Sequence, residues 1–583
     1  MLFTFQNKRL NSIIEKVLMA LVFVWPLFFI TKGIDHMDSG YYLASYKYFF
    51  DPTVENYIPY ELTNLFGALL YHIVPEAKFL FFRVIDCIFN CVSWIFTYKL
   101  AKNLLPKIWI WGGILIASFA IRRYPMMLSY NSFSFTFMIV ALYYLKIGIE
   151  KNKKKYIFIS GLIVGFNVFF RLPNALQALF VLVPLLYAIS VSKAELRTQL
   201  KLVLKQSLNF TAAGFIGLSI GFLITLIIEG WSGITGSIQN MIQLGADGSH
   251  SMGYVLYNLK MISTTALTHL QGYIPWALLS ILVIFKFYRF ILKNNNKIIE
   301  TIFIAALLFI SLYFTYIEIF KFSEKFLINL VTVFIIILSL LSPIINYKKA
   351  EAYLYSLIAL VVIIITPLGT DNIYNQYVFV MPVLLLNIFI LLNNIKKPRT
   401  EVYGRIFRLV INLFTSVLVL FLGLGFTVNY LLSLGYCDMR TEKLNKSVNI
   451  KALYGMHTNE EKAAALESFY NDMHSDEYYK NHKMLLFGDF LLAYELCDNK
   501  PFDKYIWNDL EYIDKDKIMD NLVNAEEKPI IVIGKFKCYR YEISNDLSKF
   551  TDFATQNAYD RIDNECYTIY LPQKRTEYAY NNK

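Results

Sequence analysis

Charge is scarce in this chain: Asp, Glu, Lys and Arg together make up only 17% of its 583 residues, where a soluble domain carries about a quarter. That shortage, with a mean hydropathy of +0.44, excludes an ordinary soluble globular protein. Also missing are a phosphate-binding glycine loop, a GxSxG elbow and a dinucleotide fingerprint. Their absence argues against a cytosolic enzyme acting on a nucleotide-sugar. No CxxC pair or His-rich spacing occurs, which argues against structural zinc. Internal repeats and mid-span charges, which transporters often show, are lacking or few.

Hydrophobic residues fill the space, at 56% of the chain, and aromatics reach 17%. Aromatic side chains favour membrane interfaces. The net charge of +12 does not imply nucleic acid, because most Lys and Arg lie in short loops between apolar runs. Candidate spans lie near 11–31, 79–99, 107–121, 128–148, 156–170, 174–191, 208–229, 271–290, 300–318, 325–346, 352–367, 376–394 and 406–432, about thirteen in all. Lys8, Arg9 and Lys16 precede Leu18–Ile30 as in a signal peptide, but no small-residue cleavage site follows, so this reads as an uncleaved first span.

Loop charge then sets sidedness. With 61–74 left out as a span, Lys99, Lys102 and Lys107, then Lys151 and Lys153–Lys155, then Lys193–Lys205 fall on one side. The loops 230–259 and 368–376, poor in Lys and Arg, fall on the other. The positive-inside rule makes the first side cytoplasmic. An added span at 61–74 would reverse that bias, so 61–74 is expected to be an amphipathic helix on the outer surface. The first outer loop, 32–78, then carries surface helices, the N-terminus is inside and the C-terminal tail outside.

The transmembrane domain is expected over 1–432 and a separate extracytoplasmic α/β domain over 433–583. In the latter, Thr458–Glu461 reads as a capping box opening a helix through Met473. Met484–Phe487, Pro529–Ile533 and Tyr567–Leu571 read as strands. Cys437, Cys497, Cys538 and Cys566 all fall here, and four cysteines in an oxidising compartment admit two disulfides in three pairings, or free thiols. Cys87 and Cys91, one turn apart within a span, read as small core residues.

The first outer loop holds the most suggestive chemistry. Asp35 and Asp38 follow the first span at once and precede an aromatic stretch, Tyr41–Phe50. A carboxylate held there is suited to act as general base for a hydroxyl of a lipid-anchored substrate; the alternative is that both Asp residues cap the helix that follows. Arg83, Arg122, Arg123 and Arg171 fall on the same side, and a guanidinium fork suits phosphate. Snorkelling to headgroups is the alternative for each, and for Arg83 pairing with Asp86 three residues on. Asn131, Glu229, Asp247, Glu318, Asp371 and Asn372 also face outward and read first as solvated loop or cap residues. The scattered His36, His250 and His269 carry little weight as metal ligands.

These features resemble the GT-C superfamily of polytopic glycosyltransferases, in particular bacterial relatives of the aminoarabinose transferase of lipid A and the protein O-mannosyltransferases. His36-Met-Asp-Ser-Gly-Tyr-Tyr-Leu43 resembles that family's Asp-Glu-x-Tyr-Tyr segment. Tyr60–Val74 resembles its surface helix, Phe82-Arg83 the opening of its second span, and Gly161–Asn174 its Gly-rich span ending in a basic residue and Pro. Leu486-Phe-Gly-Asp489 through Trp507-Asn-Asp-Leu510 resembles its outer domain. The resemblance implies a GT-C-like fold and a polyprenyl-phosphate monosaccharide donor. Asp38, with Asp35 beside it, would be the catalytic carboxylate. Arg171, then Arg122, Arg123 and Arg83, would hold the donor phosphate. It implies a glycolipid, polysaccharide or protein acceptor, membrane lipid as the surroundings, and no nucleic acid. No metal ligand is assigned and no cofactor is certain, since some members use a divalent metal and others do not. Two departures stand out: Ser39 replaces the second acid of the pair, and Asn131 stands where relatives carry Asp. A surface-polysaccharide polymerase or ligase, a transporter or a non-catalytic scaffold are the rival readings.

Overall fold

The computed structural model describes residues 7–55, 58–123, 126–191, 196–246, 335–336, 338–368, 373–394, 438, 443–510, 513–536 and 547–573. Among the described residues five helices are long and apolar enough to cross a membrane: Lys8–Phe28, Lys78–Ala101, Tyr130–Glu150, Lys201–Gly236 and Gln376–Asn394. Shorter apolar helices cover Lys107–Ile121, Leu172–Ala188 and Ala350–Ile365. The expected spans at 271–290, 300–318 and 406–432 lie outside the described residues.

In chain order, α1 (Lys8–Val24) leads into the first loop, which holds α2 (Asp38–Lys47) and α3 (Glu61–Tyr71). Helices α4 (Lys78–Ala101), α5 (Lys107–Ser118), α6 (Tyr130–Glu150) and α7 (Lys154–Asn167) follow. At eleven residues α3 is too short to span. It buries Glu61, Leu62, Asn64 and Tyr71 and exposes Phe66 and Leu69, followed by exposed Ile73 just past its end, an apolar face of the kind that enters a headgroup layer.

The expected helix at 174–191 begins instead as a ten-residue 3-10 segment, Leu172–Val181, before α8 (Leu182–Val191). Such runs seldom exceed four residues. Pro173 opens this one, and Asn174 ties it down by donating to Ser134 Oγ (2.8 Å) and the Asn167 carbonyl (2.9 Å). Helix α9 (Leu196–Ala246) is broken at Gly230, whose φ of 65° is open to glycine at no cost. It lies hard against α7: a Cβ on Gly165 would sit 1.9 Å from the Gly214 carbonyl oxygen. Small residues at such contacts let helix backbones approach within a bilayer. On the other side of α9, Phe215, Leu223 and Ile227 are exposed, as lipid-facing residues are. The last described membrane helices, α10 (Ala350–Ile365) and α11 (Ile373–Asn394), are joined by buried amide and hydroxyl contacts, including Ser356 Oγ to Asn387 Oδ1 at 3.2 Å.

The C-terminal part is α/β. Strands β1 (Lys446–Ser447) and β2 (His457–Thr458) form a small antiparallel pair. Strands β3 (Met484–Gly488), β4 (Ile530–Gly534), β5 (Asp560–Asp563) and β6 (Tyr567–Leu571) make a sheet of order β3-β4-β6-β5, with β3 and β4 parallel and the other pairs antiparallel. The fully buried β3, β4 and β6 read from the sequence as apolar runs. The edge strand β5 is polar and largely exposed, so no apolar signal marks it. Helix α12 (Glu460–His474) starts where the capping box places it, but its cap is Asn459, which accepts from the Lys462 N–H at 3.0 Å. Thr458 turns its hydroxyl to Asp438 instead (2.8 Å). Cys497 and Cys566 are free thiols; Cys437 and Cys538 lie outside the described residues.

The α/β part shares one core with the first loop and the start of α4: Ile34, Leu43, Tyr46 and Phe82 pack in the same cluster as Leu466, Leu491, Leu492 and Tyr494. At the other end of the helices, the Lys154 carbonyl meets Asn209 and Glu15 pairs with Lys107. A helix of 24 residues such as α4 separates the two ends by about 36 Å.

Candidate functional site

Asp35 and Asp38 lie three residues apart and differ in role. The Asp35 carboxylate is buried and accepts the N–H groups of Met37 (3.0 Å) and Ser39 (2.6 Å), satisfying donors that the start of α2 leaves open. Capping, one of the two readings of the sequence, is what its oxygens do here. Asp38 occupies the first turn of α2 and is partly exposed. One turn on, Tyr42 points into a buried cluster, where burial first, then Tyr130 and the charge of Asp38, hold its phenol well above the ordinary range.

Tyr130, at the start of α6, is the hub of this cluster. It meets Tyr42 edge-on at 5.9 Å and stacks on Tyr60 at 4.3 Å with the planes 11° apart. The Arg171 guanidinium lies 5.4 Å from the Tyr130 ring centroid. Arg171 is buried at the extended residue between two 3-10 segments, Val168–Phe170 and Leu172–Val181. Asn167 and Asn174 anchor that break to Ser134 of α6. The path Asp38–Tyr42–Tyr130–Arg171 thus joins a carboxylate to a guanidinium through aromatic faces, which favour cations. Nothing in the spacing of Tyr42, Tyr60 and Tyr130 along the chain announces this convergence.

The other arginines are placed differently. Arg83 is buried and donates to three loop carbonyls: Ile30 (3.0 Å), Lys32 (2.8 Å) and Gly33 (2.7 Å). Asp86, its expected partner, accepts from Ser132 Oγ (2.5 Å) and Asn90 (3.1 Å) instead. The backbone of Arg122 and Arg123 ends a short 3-10 helix after α5; their side chains lie outside the described residues. Asn131 is buried on the first turn of α6 with its Oδ1 unpartnered. Asp247, His250, His269, Glu318, Asp371 and Asn372 are outside the described residues.

A second acidic group escapes sequence reasoning. Glu61, beside Tyr60, is fully buried next to Glu229, which precedes the Gly230 break. Burial, then the charge and hydrogen bond of Glu229, push the Glu61 carboxyl up to about 9. Glu61 is therefore a neutral acid near pH 7.

From the C-terminal part, Trp507 meets Tyr41 at 5.7 Å. Asn508 donates to the Leu486 carbonyl (3.0 Å) and Asp509 accepts the Gly488 N–H (2.6 Å). Asp489 Oδ2 is 3.6 Å from His36 Nε2. Among the described residues, no three His, Cys, Asp or Glu side chains converge as metal ligands would.

Fold and site together define a polytopic helical membrane protein whose first loop is seated in a folded α/β part and supplies the carboxylate of a cluster completed by Tyr130 of α6 and by Arg171. No family model matches the chain, and no curated protein matches it. Among solved structures it is similar to ArnT from Cupriavidus metallidurans in the apo state, at 13% identity over 96% of this chain and 97% of that one, with a TM-score of 0.41.

Proposed function

We propose that this chain is a membrane glycosyltransferase that moves a monosaccharide from a polyprenyl-phosphate donor to an envelope or secreted acceptor. In this reading 1–432 is the membrane domain, 433–583 faces outward, and Asp38 is the general base. The observation that carries it is the cluster in which Arg171 and Asp38 flank Tyr42 and Tyr130. Asp38 takes the proton of an acceptor hydroxyl. That oxygen attacks the anomeric carbon from the face opposite the phosphate. The bond from that carbon to the phosphate oxygen breaks, and its electron pair leaves with the polyprenyl phosphate, inverting the anomeric centre. The leaving group needs cations more than a proton, because charge collects on its oxygens. Arg171 supplies the first cation, and Arg122 and Arg123 are the next candidates for that role. Arg83, committed to three carbonyls, holds the loop. The partly exposed rings of Tyr60 and Tyr130 give the sugar an apolar wall with polar edges.

In membranes supplied with a panel of synthetic undecaprenyl-phosphate monosaccharides, Asp38→Asn should lower transfer by at least a hundredfold. It should leave yield and thermal unfolding unchanged. Arg171→Ala should weaken binding of undecaprenyl phosphate about tenfold or more. Full transfer by Asp38→Asn would overturn the assignment of the base, and unchanged lipid binding by Arg171→Ala that of the phosphate site.

A further inference from the structure

The loop between α1 and α2 has almost no structure of its own. Residues 30–36 leave a run of main-chain groups that neither helix can satisfy, and buried groups of this kind demand partners. Arg83 takes three of the carbonyls from the membrane side. The α/β part takes five more. The His457 N–H donates to the Thr31 carbonyl, and the Gly33 N–H donates to the His457 carbonyl, both at 2.8 Å. Asp438 accepts the Ile34 N–H at 2.7 Å, and Lys462 Nζ donates to the Ile34 carbonyl at 2.8 Å. The Leu492 N–H closes the run on the His36 carbonyl at 2.9 Å.

Side chains reinforce the seat. The His36 ring is buried against Phe536, centroids 4.7 Å apart, with Asp489 3.6 Å from its Nε2. Asp489 is fixed in turn by the Phe536 N–H at 2.9 Å. Two residues past Asp38, Gly40 lies on the Leu491–Leu492 backbone, where a Cβ would come within 2.2 Å of the Leu492 nitrogen. At the end of α2, Lys47 donates to the carbonyls of Tyr494 and Cys497, and Tyr48 to that of Asn499.

We infer that the α/β part serves as the mould for the reactive loop: Lys462, Asp438 and Asp489 are positioning residues that hold the backbone bearing Asp35 and Asp38. This rests on the proposed function only for what the loop then does. Lys462 is bonded to the Ile34 carbonyl of the loop and paired at 3.6 Å with Asp438, and both contacts are buried. Loss of either lets residues 33–38 drift, and a drift of 1 Å in a reacting group costs about a hundredfold in rate.

The test uses the full chain in lipid nanodiscs, with Lys462→Met, the gentler Asp489→Asn, and Lys462→Arg as the conservative replacement. Three quantities are read: turnover of the undecaprenyl-phosphate monosaccharide panel, affinity for undecaprenyl phosphate alone, and hydrogen exchange of the amides of 33–47. Lys462→Met and Asp489→Asn should exchange these amides at least tenfold faster. They should lose about tenfold to a hundredfold in kcat and keep undecaprenyl phosphate affinity within twofold, and Lys462→Arg should restore most of both losses. Unchanged exchange in both variants would overturn the inference. So would turnover within twofold of the parent despite faster exchange. Should the parent turn over no donor of the panel, the glycosyltransferase reading fails by itself, and the exchange rates alone decide whether the loop is held from the α/β part.

Discussion

Replacing Glu61 by Gln should make the protein more stable at neutral pH, and the size of the gain follows from where the carboxyl sits. An exposed Glu ionises near 4.5, whereas Glu61, buried beside Glu229, does so at about 9. Between those values the folded protein keeps a proton that the unfolded chain has released, so folding stability falls as pH rises through the window. Below pH 4.5 both states are protonated and the group contributes nothing. From there to pH 7 the fall is roughly 1.4 kcal/mol per unit, about 3.5 kcal/mol in all. Glu61→Gln removes the titration while leaving a neutral group of the same shape next to Glu229. The variant and parent should therefore unfold together near pH 4.5 and separate steadily above it. By pH 8 the variant should be ahead by several kcal/mol, or a few degrees in a chain of this size. Thermal unfolding of both proteins in one detergent, from pH 4.5 to 8.5, measures the divergence. Parallel curves would refute the buried-acid argument, and a parent that gains on the variant as pH rises would reverse its sign.

Two other outcomes are expected. Gly165→Ala should destabilise by about 1–3 kcal/mol, because its Cβ meets the Gly214 carbonyl, while Gly112→Ala, whose Cβ meets only Leu18 at 3.8 Å, should be near neutral; midpoints of thermal unfolding compare the two. With the other five cysteines replaced, partly buried Cys566 should react with a membrane-impermeant maleimide on intact cells if the α/β part faces outward; labelling only after permeabilisation would place it in the cytoplasm.

The sequence announced what depends on local pattern and concealed what depends on convergence. Apolar length marks α4 and α6, and three of the four strands of the larger sheet are visible as buried runs. β5 is not, because Asp560-Arg-Ile-Asp563 is an exposed edge with no core side to alternate against. The cap of α12 shifts by one residue because Asp438, a distant carboxylate, claims the Thr458 hydroxyl. At the site, proximity to a span singled out both Asp35 and Asp38, but only backbone geometry separates the cap from the carboxylate left partly exposed. Arg83 and Arg171 look alike in sequence, each a cation at a helix end. One is enclosed by carbonyls and the other lies over a tyrosine ring. Tyr42, Tyr60 and Tyr130 belong to three separate segments, and Glu61 meets Glu229 across more than a hundred residues, so no periodicity joins them.

The seating of the first loop also bears on the order in which this protein is made. Ile34 waits for Asp438 and Lys462, partners more than 400 positions later in the chain. At about 5–20 residues per second, synthesis brings those partners roughly 20–80 seconds after the loop itself has emerged. Throughout that interval Leu43, Tyr46 and the open carbonyls of 30–36 have only the early helices for cover. The candidate site is thus among the last parts of the molecule to form, and any stall or cleavage before about residue 460 would leave a membrane-inserted chain with an unformed reactive loop.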